Sequence, residues 1–183
     1  MQPSQADPSS RIEDALKAVR ALIFPVDGVL NGGRITFDSR GGEICSLSVR
    51  DAVAIREAQK QGLHIAVISE RDAEGYRPLL EELGVQDLFL SAGNLLDAYE
   101  AFQQLHDLTD DECAYIGDDI GDIAVLSKAG LPVTSIDGAD FLRNRVGYIA
   151  GYEGGRGCVR EIVEMILIHQ GKWPYVECAD EET

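Results

Sequence analysis

Three features are scarce or absent in this 183-residue chain: long hydrophobic runs, closely spaced cysteine pairs and an excess of basic charge. No apolar stretch approaches the roughly 18 residues that a membrane-spanning helix needs, so we predict no membrane span. The four cysteines form no CxxC pair, which argues against a zinc site. With 16 basic and 32 acidic residues and a formal charge of −16, the chain lacks the basic face that nucleic-acid binding needs.

The ends of the chain differ in composition from its middle. Residues 1–10 are polar and lack the apolar core of a signal peptide, so we expect a flexible N-terminus and a cytoplasmic location. The composition of residues 178–183 predicts a loose acidic tail. Since no linker or internal repeat divides residues 11–177, we predict a single domain there.

Between these ends, apolar strand-like runs alternate with amphipathic helix-like runs. Strands are predicted at residues 19–24, 63–68, 87–90, 114–116, 131–135 and 147–150. Helices are predicted at residues 51–61, 73–83, 94–105, 122–129 and 159–170, with Asp51 and Asn94 as N-caps. Such alternation predicts an α/β fold with a Rossmann-like parallel sheet and helices on both faces. Residues 34–49 interrupt it with a β-hairpin pattern after the first strand.

In parallel sheets, functional sites form at the carboxyl ends of the strands. That rule selects the segments Pro25–Gly28, Ser69–Arg71 and Gly117–Asp122. The last segment carries Asp118, Asp119 and Asp122. Helix capping explains one or two of these carboxylates, whereas three at close range repel one another unless a cation such as Mg²⁺ intervenes. The cluster alone therefore favours a metal site.

Four sequence segments carry a resemblance to a known family. They are Val26-Asp27-Gly28-Val29-Leu30, Ser48-Val49-Arg50-Asp51, Tyr115-Ile116-Gly117-Asp118-Asp119 with Asp122, and the long segment Gly154-Gly155-Arg156-Gly157-Cys158-Val159-Arg160-Glu161. With these motifs, residues 18–171 resemble the haloacid dehalogenase (HAD) superfamily. Within it, they resemble the capless sugar-phosphate phosphatases typified by 3-deoxy-D-manno-octulosonate 8-phosphate (KDO 8-phosphate) phosphatase.

The resemblance implies a role for each matching residue. Asp27 would be the general acid and base, and Ser69 and Arg71 would bind phosphate or another ligand. Arg156 would contact substrate near a subunit junction. Mg²⁺ would be held by Asp118, Asp119 and Asp122 together with the backbone carbonyl of Asp27. The family's hairpin builds a homotetramer, so we expect one here, although packing of the hairpin on its own domain is the alternative.

Two central positions depart from the family pattern. Pro25 stands where the family has its nucleophilic Asp, and Leu95 stands where it has a charge-balancing Lys. Glu70 also replaces a usual Gly and would repel a phosphate dianion. Because covalent phosphoryl transfer needs an oxygen nucleophile, we expect that route to be lost. Two interpretations of Asp118 and Asp119 stay open: they are ligands in a weakened Mg²⁺ site, or they are structural caps.

Three functions remain to be distinguished. The leading hypothesis is an oligomeric binding or regulatory protein, with an enzyme of acidic-sugar metabolism as a partner. The alternative is a Mg²⁺-dependent sugar-phosphate phosphatase in which Asp27 or a metal-bound water attacks phosphorus. The third is an acidic structural protein without a ligand. Arg160 is expected to form a structural ion pair, and Trp173 to Tyr175 to pack against the body or against a neighbouring subunit.

Overall fold

The structure is a computed structural model, and it describes residues 8–175. Its strands are β1 (Ala21–Pro25), β2 (His64–Ile68), β3 (Asp87–Phe89), β4 (Cys113–Gly117), β5 (Leu131–Thr134) and β6 (Tyr148–Ile149). Its α-helices are α1 (Pro8–Ala18), α2 (Val49–Lys60), α3 (Arg77–Glu82), α4 (Leu95–His106), α5 (Ile123–Leu126) and α6 (Cys158–His169). Short 3₁₀ turns lie at Glu74–Tyr76, Asp110–Glu112, Ile120–Asp122 and Asp140–Leu142.

The strands form one six-stranded parallel sheet in the order β3-β2-β1-β4-β5-β6. Strand β1 lies between β2 and β4, with Ala21 opposite both His64 and Cys113. The predicted α/β fold with a parallel sheet is therefore confirmed. The carboxyl ends of β1, β2 and β4 stand side by side, which places the three sequence segments selected above at one edge.

Alternating side chains of β1 supply the two hydrophobic cores that sandwich the sheet. Leu22 and Phe24 are buried against one group of helices, α1, α2, α3 and α6. Ala21 and Ile23 face the opposite way, towards α4 and α5. Because a strand with apolar residues on both faces must be covered on both faces, the continuous apolar run in the sequence already indicates a central strand.

The predicted hairpin at residues 34–49 is much reduced in the structure. Its pairing amounts to one bridge between Phe37 and Glu43, with the Ile44 N–H donating to the Thr36 carbonyl at 2.8 Å. Asp38 closes the turn by accepting N–H groups from the loop. The segment also ends earlier than predicted, since α2 begins at Val49. Two isolated strands are marginally stable, which explains why extended pairing does not develop.

The hairpin packs on its own domain through only part of its apolar surface. Cys45 and Leu47 contact the core. Ile35, Phe37 and Ile44 are exposed. Packing on its own domain therefore covers one side of the hairpin and leaves an apolar side open.

The N-terminal boundary also differs from the sequence prediction. Helix α1 begins at Pro8, inside the segment 1–10 that was expected to be flexible, and Leu16 packs it into the core. The side chain of Gln170 joins α1 to the end of α6 by donating to the carbonyls of Leu16 and Val19. Residues 1–7 and the predicted acidic tail at 178–183 lie outside the described residues, so those predictions stay untested.

The C-terminal part of the described chain closes over α6. Trp173 is buried in the core, and the guanidinium of Arg160 lies 4.8 Å from the centre of its ring. Arg160 also pairs with Glu164 one turn further along α6. The structural roles predicted for Arg160 and Trp173 agree with these contacts. Among residues 8–175, no helix has the length and the apolar character needed to cross a bilayer.

Asp51 does not cap its own helix, contrary to the sequence prediction. It lies in the first turn of α2, fully buried, and its Oδ1 accepts the backbone N–H of Arg160 at 2.9 Å. The carboxylate therefore satisfies the N-terminus of α6, 109 residues away, where Gly157 has a positive φ of 118°. Burial raises the pKa of Asp51, and hydrogen bonds from the α6 backbone oppose that rise.

Replacing this buried acceptor tests how far α6 depends on it. Asp51→Ala leaves the Arg160 N–H buried without a partner, and we expect it to lower the free energy of unfolding by about 1–3 kcal/mol. Urea unfolding followed by circular dichroism measures the change.

Asp97→Ala is the matched control, since Asp97 is exposed in the first turn of α4 and Asn94 already caps that helix. Because the pKa of Asp51 is raised in the folded state, its contribution is greatest below the ordinary Asp value of about 4 and falls as pH rises. The deficit of Asp51→Ala should therefore be larger in acid than at neutral pH. Equal deficits for the two variants at every pH would contradict this role.

Candidate functional site

A cavity of about 360 Å³ opens at the carboxyl ends of β1, β2 and β4. All three sequence segments selected above contribute to its wall, joined by the hairpin and the start of α4. The lining residues are Pro25, Asp27, Gly28, Gly33, Ile35, Ser69, Glu70, Leu95, Asp118, Asp119, Gly121 and Asp122. The fold thus brings together the predicted site residues except Arg71, which lies just behind Asp27, and Arg156.

Pro25 forms the floor of the cavity at the end of β1, where it is buried. Its side chain is a hydrocarbon ring that can neither attack phosphorus nor bind a metal ion. The chain then turns through Gly28, whose φ is 78°. A Cβ at Gly28 would lie 2.1 Å from Oδ2 of Asp118, so only glycine lets the first motif approach the acidic motif this closely.

Asp27 projects from this turn and is held by two neighbours. Arg71 donates to both of its carboxylate oxygens, through Nε at 2.7 Å and Nη2 at 2.8 Å. Asn31 donates from Nδ2 to Oδ1 at 2.7 Å, and its own Oδ1 accepts the N–H groups of Gly28 and Gly33. Both oxygens of the predicted acid and base are therefore engaged with protein donors.

Arg71 has no N–H group left for a ligand. Besides its two hydrogen bonds to Asp27, it donates from Nη1 and Nη2 to Glu43 at 2.9 and 2.8 Å. A second Nη1 bond reaches the Asp72 carbonyl at 2.9 Å. These five bonds exhaust the five donors of a guanidinium. The two carboxylates raise the pKa of Arg71, so its charge is permanent and fully paired.

Ser69 and Glu70 complete the second segment. Ser69 is buried and its hydroxyl donates to the Arg71 carbonyl at 2.9 Å, so its proton is already committed. Glu70 is exposed and borders the cavity together with Leu95, the first residue of α4. Among the described residues that line the cavity there is no Lys or Arg. The wall is thus apolar and acidic where a phosphate site needs positive charge.

Asp122 serves the protein rather than the cavity. Tyr115 donates its hydroxyl to Oδ1 at 2.5 Å, and the N–H groups of Asp118 and Asp119 donate to Oδ2 at 2.7 and 3.0 Å. Burial raises the pKa of Asp122, although these donors oppose the rise. Asp119 caps the 3₁₀ turn by accepting the Ile120 N–H. The structural-cap interpretation of Asp118 and Asp119 therefore fits Asp119, and Asp122 has a structural role as well.

Asp118 is the exception among these carboxylates. It is half-buried, and the structure shows no hydrogen bond or ion pair to its side chain within residues 8–175. Burial raises the pKa of Asp118 to about 6, and the charges of Asp137, Asp122, Asp119 and Asp27 add to the rise. One carboxylate of the acidic motif thus remains without a counter-charge.

The donor set does not amount to a complete metal site. Within residues 8–175, no group of three or more His, Cys, Asp or Glu side chains is arranged to hold a metal ion. Pro25 contributes no ligand, and the oxygens of Asp122 are bound by Tyr115 and backbone N–H groups. The predicted Mg²⁺ ligation by Asp118, Asp119, Asp122 and the Asp27 carbonyl stays a prediction, and we derive no chemical step from it.

Arg156 lies outside the cavity. Its side chain is 73% exposed and pairs with Glu153 at 3.1 Å. The glycines before it have a packing role, because a Cβ at Gly154 would lie 1.7 Å from the Gly28 carbonyl oxygen. The Gly155 N–H also donates to the Val29 carbonyl at 2.7 Å. The C-terminal motif thus supports the Asp27 turn from behind and holds Arg156 at the surface.

Four residues of the site carry no distinctive sequence signal. They are Asn31, Glu43, Tyr115 and Asp137. Each acts on another residue of the site, through a hydrogen bond or through its charge: Asn31 orients Asp27, Glu43 binds Arg71, Tyr115 binds Asp122, and the charge of Asp137 raises the pKa of Asp118. Of these four, only Tyr115 belongs to one of the four sequence motifs, where the pattern predicts an apolar strand residue.

Comparison with known proteins identifies relatives along almost the whole chain, although no protein-family model matches. The chain is 34% identical over 170 residues to 3-deoxy-D-manno-octulosonate 8-phosphate phosphatase KdsC of Escherichia coli strain K12, covering 93% of this chain and 88% of that protein. A structure of the phosphatase from Moraxella catarrhalis, in complex with magnesium ion, phosphate ion and KDO, has a TM-score of 0.84 at 28% identity, covering 88% and 93% of the two chains.

A second solved structure is the cobalt-bound phosphatase from Haemophilus influenzae. It has a TM-score of 0.82 at 32% identity and covers 86% of this chain and 92% of its own. Sequence and structure therefore agree over the same region that carries the four motifs. The chain belongs to the KDO 8-phosphate phosphatase family of the HAD superfamily.

Proposed function

We propose that this chain is a KDO 8-phosphate phosphatase-like protein that has lost the covalent phosphatase route and acts as an oligomeric binding or regulatory protein. The observation that carries the proposal is Pro25 at the end of β1, in the floor of the cavity. A covalent route through a phosphorylated side chain needs an oxygen at that position. Proline supplies none.

The charges around the cavity support the same proposal. A transferring phosphoryl group needs cations to balance its charge in the transition state. Leu95 and Glu70 line the wall instead, and Arg71 is paired with Asp27 and Glu43. The cavity thus lacks both the nucleophile and the free positive charge that phosphoryl transfer requires.

The second candidate is a sugar-phosphate phosphatase in which Asp27 or a water molecule attacks phosphorus directly. The names of the relatives favour this candidate, since they are phosphatases and two of their structures contain magnesium or cobalt. Retention of Asp27, Ser69 and Asp118 in one cavity favours it as well. Against it stand the hydrogen bonds that hold both oxygens of Asp27.

Self-association through the hairpin is part of the first candidate. Ile35, Phe37 and Ile44 expose 48%, 61% and 52% of their surfaces, on a segment that borders the cavity. We propose that a homotetramer covers them, as the family resemblance implies, and that an enzyme of acidic-sugar metabolism is the partner. A cytoplasmic location belongs to the same proposal.

The catalytic proposal is tested with KDO 8-phosphate and a generic aryl phosphate, each with added Mg²⁺. We expect wild-type protein to form no phosphorylated side chain and to show no burst, because loss of a nucleophile lowers kcat by about 10⁴- to 10⁶-fold in a cooperative catalytic set. Rapid quench followed by mass spectrometry of the intact chain measures the adduct.

The Pro25→Asp, Leu95→Lys double variant restores both family residues and is the positive comparison. Steady hydrolysis by wild-type protein without an adduct, abolished by Asp27→Asn, would instead establish the second candidate. A stoichiometric phosphorylated intermediate on the wild-type chain would refute the first.

Assembly is tested by placing a charge on the exposed side of the hairpin. Phe37→Glu should lower the association constant of the oligomer by more than about tenfold, since burying an unpaired carboxylate at an interface costs several kcal/mol. Sedimentation velocity over a micromolar concentration series measures it.

Leu105→Glu is the control, because Leu105 is exposed to a similar degree, 66%, on α4. Wild-type protein that sediments as a 20 kDa monomer throughout the series would count against assembly. An equal loss of assembly in both variants would show that the hairpin is not the interface.

A further inference from the structure

Glu43 occupies the place of an anionic ligand on Arg71. Its carboxylate accepts from Nη1 and Nη2 at 2.9 and 2.8 Å, the two-pronged geometry by which a guanidinium recognises a carboxylate or a phosphate. The side chain of Glu43 is 17% exposed, so the pair is partly shielded from water. A free oxyanion at this edge of the sheet would need the same two donors.

The charges around Arg71 also depend on Glu43. One guanidinium faces two carboxylates, those of Asp27 and Glu43, so this group of three side chains carries a net charge of −1. Without Glu43 the group would be neutral, with two N–H donors released. Arg71 and Glu43 lie beside the cavity, behind Asp27, and the other charged side chains that line the cavity, Glu70, Asp118, Asp119 and Asp122, are acidic. Glu43 is therefore the carboxylate whose removal most directly creates a site for an anion.

Glu43 also connects the site to the hairpin. It forms the bridge with Phe37, and the next residue, Ile44, hydrogen-bonds to Thr36. The carboxylate is thus attached to the segment whose Ile35, Phe37 and Ile44 side chains are exposed. Any displacement of this segment would carry Glu43 away from Arg71, whereas Asp27 would stay on its own turn beside Asn31.

We propose that Glu43 is a specificity-determining residue that acts through Arg71: it holds the guanidinium as an internal substitute for a phosphate or carboxylate group, and an oxyanion binds only when Glu43 leaves. The inference rests on the proposed function, since it concerns binding at the same site. The ligand class, a small molecule bearing a phosphate or carboxylate, is the one that the family resemblance already implies for Arg71, and the new element is the role of Glu43. Glu43 is the group that blocks this ligand when the hairpin lies as in this structure.

A purely structural clamp makes the opposite prediction. If Glu43 only held Arg71 and Asp27 in place, its removal would loosen the site and weaken ligand binding. If it competes with the ligand, its removal strengthens binding. The sign of the change therefore separates the two roles.

The experiment measures binding of inorganic phosphate, acetate and KDO 8-phosphate to the full chain by titration calorimetry. We expect Glu43→Gln to bind phosphate at least about tenfold more tightly than wild-type protein, which corresponds to about 1.4 kcal/mol. Glu43→Asp restores the negative charge and should return binding to near the wild-type level. Acetate and phosphate, compared in Glu43→Gln, show whether a carboxylate or a phosphate is preferred.

Glu74→Gln is the matched control, because Glu74 forms a similar two-pronged pair with Arg77 at 2.6 and 2.9 Å, away from the cavity. It should leave phosphate binding unchanged. The double variant Glu43→Gln, Arg71→Met should lose the gain. Nitrogen-15 NMR of the arginine Nε–H groups should show one resonance, that of Arg71, moving with phosphate in Glu43→Gln.

Equal or weaker phosphate binding in Glu43→Gln overturns the proposal, and so does a gain that survives Arg71→Met. Wild-type protein offers a test that does not depend on the variant's folding: its Arg71 Nε–H resonance should not move at millimolar phosphate, and movement would also overturn the proposal. None of these outcomes reports on a phosphorylated side chain, so failure here is distinguishable from failure of the proposed function.

Discussion

Repulsion among carboxylates at one edge of a parallel sheet is the constraint on which the whole site depends. Asp27, Asp118, Asp119 and Asp122 line a single cavity. Burial and neighbouring negative charges raise the pKa of such a carboxylate, and hydrogen-bond donors oppose that rise. Three of these carboxylates accept hydrogen bonds from different donors. Arg71 and Asn31 donate to Asp27. Tyr115 and backbone N–H groups donate to Asp122, and the Ile120 N–H donates to Asp119. Asp118 has no such donor among residues 8–175, and burial, together with the charges of the neighbouring carboxylates, raises its pKa to about 6.

The scaffold that brings these carboxylates together is independent of the chemistry they perform. Gly28 admits Asp118 against the first turn, and Gly154 admits the C-terminal motif against Gly28 itself. These contacts depend on missing side chains and on backbone geometry. None of them involves the side chain of residue 25, so family membership by sequence and fold does not by itself carry over the reaction. The reaction has to be argued from Pro25, Leu95 and Glu70.

Much of this arrangement follows from local sequence patterns. Apolar runs predict the strands because a central parallel strand is buried on both faces, as Ala21 to Phe24 are. The Asn94 cap is confirmed because capping depends on neighbouring residues alone. Asp51 has the same local appearance as Asn94, yet its acceptor serves a helix 109 residues away. Sequence spacing predicts only contacts between residues close together in the chain, so it does not predict this one. It does not predict the role of Glu43 either, because that role depends on where the fold places Arg71.

Pro25 shows why the fold tolerates a proline at the position where the family resemblance implies a nucleophile. Proline cannot donate to a sheet ladder, so the interior of a central strand normally excludes it. Pairing of β1 with β4 extends from Ala21 only to Ile23, however, and Pro25 is paired on the β2 side alone, opposite Ile68. A residue that is the last of its strand and is paired on one side only takes part in few ladder hydrogen bonds, so the missing N–H of proline matters least there. A nucleophile must project from such a strand end to reach its substrate, and a strand end is also where a proline fits. The position that gives the family its chemistry is thus one where the sheet depends little on the residue it holds, and loss of the reaction need not cost the fold.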